Sequence, residues 1–213
     1  MYHLYFSPGA CSVAPHIVLE EIGQPYTTEL VRVDISSKAE NITQADYLKI
    51  NPKGRVPALK IGDHILTEAP AILTYLARKH PEADLLPRDP EGEARCYEWM
   101  AWASTAVHAM AFGQVVRPQR FVFDPKDYPA VVAKGRQNLG DAFGYIEKQL
   151  EGRDWAVPHG YTIADPYLLF YYRAAKLAGL PMQERFPAWT RISERVMSRP
   201  AVQRVLQKES EVR

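Results

Sequence analysis

Cys11 lies in the stretch YFSPGACSVAPH, residues 5–16, where a β-prone run gives way to a helical one. A thiol just ahead of a helix meets the positive end of the macrodipole and the unpaired N–H groups of the first turn. Both favour thiolate over thiol, and a cysteine so placed can have its pKa drawn from about 8.5 to roughly 3.5–7.5. Such a sulfur can attack a disulfide or lie against another thiolate. Ser12, Val13 and Ala14 follow, with no second cysteine among them. Redox chemistry at Cys11 therefore needs a thiol borrowed from a small molecule. The plainer alternative is a buried cysteine acting as a small hydrophobe.

Two other stretches carry groups that can hold a ligand. In NPKGRVPAL (51–59), Pro57 precedes strand-like residues, where its missing N–H does no harm. A cis Val56–Pro57 bond would turn the Val56 backbone outward to pair with an extended peptide, although only about 5–6% of X–Pro bonds are cis. In LTEAPAI (66–72), Glu68 stands at a helix start. Its carboxylate can pair with an amine, and the Ala69 N–H can hold a carboxylate; a simple helix-start acid reads equally well. On a third stretch, EARCYEWMAWASTAVHAMAF (93–112), His108 shares a helical face with Ala101, Ser104, Thr105 and Phe112. That face is small and mixed, suited to a cleft wall. The face of Trp99, Ala103, Ala106 and Met110 reads as core. A histidine near a thiolate would stabilise it or move a proton. TIAD (162–165) is a capping box, which assigns Thr162 and Asp165 to structure.

The elements needed to position these groups follow from periodicity. Residues 2–6 and 26–33 read as strands, 13–22 and 44–50 as helices, 55–68 as a hairpin around Gly62-Asp63-His64, and 69–80 as an amphipathic helix. The order β-α-β-α-β-β-α fits about eighty residues. A proline-rich, charged stretch at 81–92 then reads as a linker, and long helices follow at 93–112, 129–152 and 162–179, with one or two more beyond. The expectation is a small α/β domain over 1–80 and an all-α domain over 93–213.

Composition excludes several classes. Twenty-six basic against 25 acidic residues leave a formal charge of +1 and no block of one sign, so neither nucleic acid nor an anionic membrane is indicated. Two cysteines make no disulfide framework, and the N-terminus shows no signal peptide, which together point to a cytoplasmic protein. No serine-nucleophile elbow, phosphate loop or zinc spacing occurs.

With LYFSPGACSVAPHIVLEE, INPKGRVPAL, LTEAPAILTYLA and YTIADPYL in this order, the chain resembles the cytosolic glutathione S-transferases, most closely the bacterial beta class. The resemblance spans essentially the whole chain and implies a thioredoxin-like N-terminal domain followed by an all-helical C-terminal one. It also implies that Cys11 faces the glutathione sulfur with Ser12 beside it. By the same likeness the Val56–Pro57 peptide is cis and the Val56 backbone pairs with the cysteinyl unit. Glu68 and Ala69 would hold the γ-glutamyl end, Lys38 would reach the glycyl carboxylate, and His108 would point at the sulfur from the second domain. Glutathione is then the co-substrate, no metal is needed, and a homodimer is expected. Some relatives carry Asn where this chain has Ala101 and Lys where it has Ala109, a departure that would weaken glutathione binding or leave a more apolar acceptor pocket.

Three activities fit these residues. In the first, a bound glutathione thiolate attacks a small electrophile. In the second, Cys11 exchanges disulfides with glutathione as a reductase or deglutathionylating enzyme. The third is a binding protein on the same scaffold, which the joint presence of Cys11, Val56, Pro57 and Glu68 disfavours.

Overall fold

The computed structural model describes residues 1–32, 42, 44–177 and 180–212. Lys38 lies outside the described residues.

The β-branched and aromatic runs of the N-terminal part form a four-stranded sheet, order β2-β1-β3-β4, from β1 (Tyr2–Phe6), β2 (Tyr26–Leu30), β3 (Ala58–Ile61) and β4 (His64–Thr67). β1 runs parallel to β2, with Tyr2 opposite Tyr26, and antiparallel to β3, with Tyr5 opposite Ala58. β3 and β4 form the expected hairpin, Ile61 opposite His64. Helices α1 (Val13–Ile22), α2 (Ala45–Ile50) and α3 (Ala69–Lys79) complete the thioredoxin-like order.

The helical part comprises α4 (Pro90–Trp102), a π-helical run over Ala103–Phe112, α5 (Gly113–Val116), α6 (Tyr128–Leu150), α7 (Ala164–Leu177), α8 (Met182–Arg185), α9 (Pro187–Met197) and α10 (Pro200–Glu211). Its core is aromatic: Phe143 of α6 meets Trp189 of α9 edge-on at 5.1 Å. Among the described residues no helix is long and apolar enough to cross a membrane.

Helix α1 joins the two parts. Every residue from Val13 to Leu19 is buried, because α1 packs on α3, α7 and α10. A ten-residue helix with one apolar stripe could not cover that many neighbours, and the run VAPHIVL supplies small or apolar residues almost all round.

Two expectations need correction. The stretch read as a linker is packed: Leu85 and Leu86 are buried, and the Leu85 carbonyl accepts from Ile163 N–H at 2.9 Å. Helix α4 starts three residues early, since Asp89 caps it through Gly92 N–H at 2.7 Å and Pro90 fits the first helical position. The second correction concerns phase. In the π-helical run the Gly113 N–H reaches back five residues to His108 O. The wider turn moves the buried row to Ala103, Val107 and Ala111, and Met110, expected in the core, is half exposed.

The capping box is built as read. Buried Asp165 accepts from Thr162 N–H and Ala156 N–H, both at 2.8 Å, and Thr162 Oγ1 accepts from Ala164 N–H at 3.4 Å. Burial pushes the Asp165 carboxyl up to about 6, with the Ala156 and Thr162 donors opposing. Asp165→Ala strands two buried N–H groups, so urea unfolding should show a loss of roughly 3 kcal/mol, with the specific activity of the folded fraction unchanged.

Candidate active site

The loop between β1 and α1 is a tight turn. Ala10 N–H bonds Ser7 O at 3.0 Å, Val13 N–H bonds Ala10 O at 3.1 Å, and Gly9 adopts φ +75°, a left-handed conformation that glycine takes without strain. Ser12, fully buried, closes the turn: its hydroxyl donates to Ser7 O and accepts from Ser7 N–H, both at 3.1 Å. The serine expected as a donor beside the sulfur is therefore engaged with the loop itself. Its single hydroxyl proton already has an acceptor.

Cys11 is half-buried, and its Sγ donates to the Val56 carbonyl at 3.4 Å. Burial pushes its thiol up to about 12. The backbone N–H lowers it, Glu68 raises it further and Arg55 lowers it. This reverses the thiolate expected from the helix dipole. The sulfur sits one residue outside the N-cap Ser12 and turns toward a carbonyl, so desolvation outweighs the dipole. Cys96 is buried too, and both cysteines are free.

The Val56 side is held by residues the motif alone did not single out. The Val56–Pro57 peptide is cis. Just before it, the Arg55 carbonyl accepts from Tyr47 Oη at 2.7 Å and from Asn51 Nδ2 at 2.5 Å, while Asn51 Oδ1 accepts from Lys53 N–H at 3.1 Å. Asn51 is buried, and its side chain fixes the whole NPKGR turn. An asparagine opening an Asn-Pro-x-Gly stretch is a readable turn signal, and it was the available clue to this residue.

Glu68 is the N-cap of α3, as expected, with φ +71° and ψ 117°, a strained conformation for a residue with a side chain. Its exposed carboxylate pairs with Lys53 Nζ at 2.5 Å, and Ala69 behind it is buried. The carboxylate thus has a cationic partner from the NPKGR turn, which an incoming amine would have to displace or join.

His108 is exposed on its outer side, and its ring lies tilted to Phe170 at 5.7 Å and edge-on to Tyr171 at 6.1 Å. Burial against these rings, then the positive charges of Arg55 and Arg120, push it down to about 4, Glu68 opposing. Neutral imidazole at pH 7 can donate or accept one proton, but it supplies no fixed positive charge. No hydrogen bond joins His108 to Cys11 among the described residues. The two are joined instead by shared neighbours, because Arg55 and Glu68 act on both the thiol and the imidazole. Behind this wall a buried tyrosine was missed: Tyr167 Oη bonds Ser104 Oγ at 2.8 Å, and it lies close enough to Cys11 and Glu68 for both to raise its pKa, after burial itself. Ala101 and Ala109 are both exposed.

Comparisons with known proteins agree with this arrangement. Residues 1–78 match the family model for the glutathione S-transferase N-terminal domain. The glutathione S-transferase GstA of Escherichia coli O157:H7 is 36% identical over 211 residues, covering 97% of this chain and 98% of that protein. Among solved structures, a glutathione transferase homologue from Sulfitobacter with bound glutathione superposes with a TM-score of 0.88 at 31% identity, over 98% of each chain. A bacterial beta class glutathione S-transferase from Sphingomonas chungbukensis superposes at 0.80 with 30% identity, over 97% of this chain and 98% of that one. The likeness runs over nearly the full length of both chains in sequence and in fold, and the chain belongs to the glutathione S-transferase family.

Proposed function

We propose that this chain conjugates glutathione to small electrophiles in the space bounded by Cys11, Val56, Glu68 and His108. In this reading residues 1–80 are the glutathione-binding domain, 81–92 the connection, and 93–213 the acceptor side. Glutathione lies extended, its cysteinyl unit on the Val56 backbone beside Pro57. Its γ-glutamyl end meets Glu68 and the Ala69 N–H, and its glycyl carboxylate meets Lys38. The thiolate then forms a carbon–sulfur bond to the electrophile, and the leaving group departs with the displaced electron pair.

The observation that carries this reading is the Cys11 thiol placed as a donor, 3.4 Å from the Val56 carbonyl beside the cis Pro57 peptide. Burial pushes the thiol up to about 12, so at pH 7 it is held in the S–H form. As an attacking nucleophile Cys11 is nearly silent, which disfavours the disulfide-exchange reading. As an S–H donor it is well placed. Its present acceptor is the Val56 carbonyl, and a swing of the same proton onto a neighbouring glutathione sulfur would favour the thiolate there. Arg55, and Arg120 on the helical side, add positive potential at the same place.

The experiment compares Cys11→Ala and Cys11→Ser with the natural protein, using a generic aryl halide and ultraviolet titration of bound glutathione. Loss of the donor should raise the pKa of bound glutathione by about one unit and lower kcat/KM at pH 7 about tenfold, with serine retaining part. A loss beyond about a thousandfold, together with a Cys11-dependent glutathione adduct in the intact mass, would instead establish thiol–disulfide exchange.

His108 gives a pH signature. Its folded pKa is depressed from 6.5 to about 4, so between those values the unfolded chain holds a proton that the folded chain lacks. Stability from this group is present above pH 6.5 and is lost as pH falls toward 4. Ring NMR titration should place the His108 midpoint well below the ordinary value, and His108→Asn should flatten the fall in urea midpoint over that window.

A further inference from the structure

We propose that Glu209, in the last turn of α10, is a positioning residue for the active site, its buried carboxylate clasping the Cys11 loop through the Gly9 N–H. Glu209 is 3% exposed and its neighbour His16 1%. Both carboxylate oxygens are engaged: Oε1 accepts from His16 Nδ1 at 3.0 Å, and Oε2 accepts from Gly9 N–H at 3.2 Å. A carboxylate only accepts from these groups, so His16 carries its proton on Nδ1.

The rest of α10 docks without this contact. Arg199 forks onto Glu21 at 2.6 and 3.1 Å, Arg204 and Lys208 meet Glu20 at 2.6 and 3.0 Å, and Val202 and Val205 are fully buried. Burial works to raise the Glu20 carboxyl, yet hydrogen bonds from Tyr26, Arg204 and Lys208 outweigh it and hold the group at about 2. These pairs can seat one helix on another. None of them reaches the catalytic loop.

Glu209 does reach it, at Gly9, two residues before Cys11. Glycine at φ +75° is conformationally permissive, and the bond to its N–H adds a hold from α10 to those that Ala10 and Ser12 make within the turn. The arrangement is kept at a cost. Burying a carboxylate is unfavourable unless it is fully bonded, and His16 Nε2 is buried with no partner among the described residues. A helix that needed only to dock could bury an apolar side chain at position 209 instead. The clasp therefore couples seating of the C-terminal helix to the geometry of the Cys11 loop, and it rests on the reading of that loop as the glutathione site.

The test uses the full-length protein and Glu209→Met. Two groups bond this carboxylate, and methionine, close to glutamate in length, offers neither a strong acceptor, so both bonds fail. KM for glutathione should rise about tenfold with kcat changing much less, and iodoacetamide should alkylate Cys11, mapped by peptide mass, about tenfold faster. Arg204→Ala is the control: it loosens α10 and lowers the melting temperature without moving either quantity. In the unmutated protein the Gly9 amide should exchange with deuterium as slowly as the α10 amides. A Gly9 amide exchanging at free-loop rates overturns the proposal. So does a Glu209→Met protein that loses melting temperature alone. Alkylation and amide exchange need no glutathione, so they decide the clasp even where the glutathione reading itself fails.

Discussion

Helix α1 has no free side, and the site depends on that. Seven consecutive residues, Val13 to Leu19, are buried, because the sheet layer and α3 share the helix with α7 and α10 of the helical part. In most two-layer α/β arrangements a helix keeps one face in water. Here the same helix is core for both halves of the chain. The loop at its N-terminus, which carries Cys11, is thereby fixed against the cis-proline turn on one side and the helical wall on the other. Relative motion of the halves would open α1 to solvent, at about 25 cal/mol for each Å² of apolar surface exposed.

That same enclosure sets the electrostatics. Arg55 and Glu68 act on both Cys11 and His108, and desolvation drives each toward its uncharged form, the thiol upward and the imidazole downward. Charge enters from the rim, where Arg55, Arg120, Lys53 and Glu68 stand exposed. A site of this kind holds few ionised groups of its own. It provides neutral donors in a poorly solvated pocket with positive potential around it, and such a pocket favours an anion that arrives with its own proton to lose.

Much of this was legible in the residues. The hairpin at 55–68, the capping box at Thr162 and Asp165, and the strand–turn–helix around Cys11 are local patterns, and each appears where its pattern placed it. What failed was context. The thiol of Cys11 was read from the helix dipole, a one-turn effect, while its protonation is governed by burial that only the folded chain creates. The face of the 103–112 helix was read at 3.6 residues per turn, and the π-helical run rotates it. Glu209 sits 193 residues from His16, and nothing in PAVQRVLQKES marks its glutamate as different from its neighbours.

Three departures from local rules bear on the Cys11 region, while others, Asp84 with φ +50° and the unpaired Tyr161 Oη and Trp189 Nε1, lie elsewhere. Glu68 holds a positive φ despite its side chain; the helix bearing His108 is wound as a π-helix; His16 leaves a ring nitrogen unpaired in the core. Each departure costs stability, of order 1–3 kcal/mol for a strained backbone or an unmet polar group. Glu68 acts electrostatically on both Cys11 and His108, and His16 shares Glu209 with the Cys11 loop. The surrounding structure is correspondingly over-determined: Ile72 N–H bonds Glu68 O at 3.0 Å, Ala69 is buried beneath it, and Tyr171 bonds the Ala103 carbonyl at the start of the π-helical run at 3.2 Å. Strain at Glu68 and in the helix bearing His108, braced in this way from both halves, is geometry held against the preferences of the local sequence.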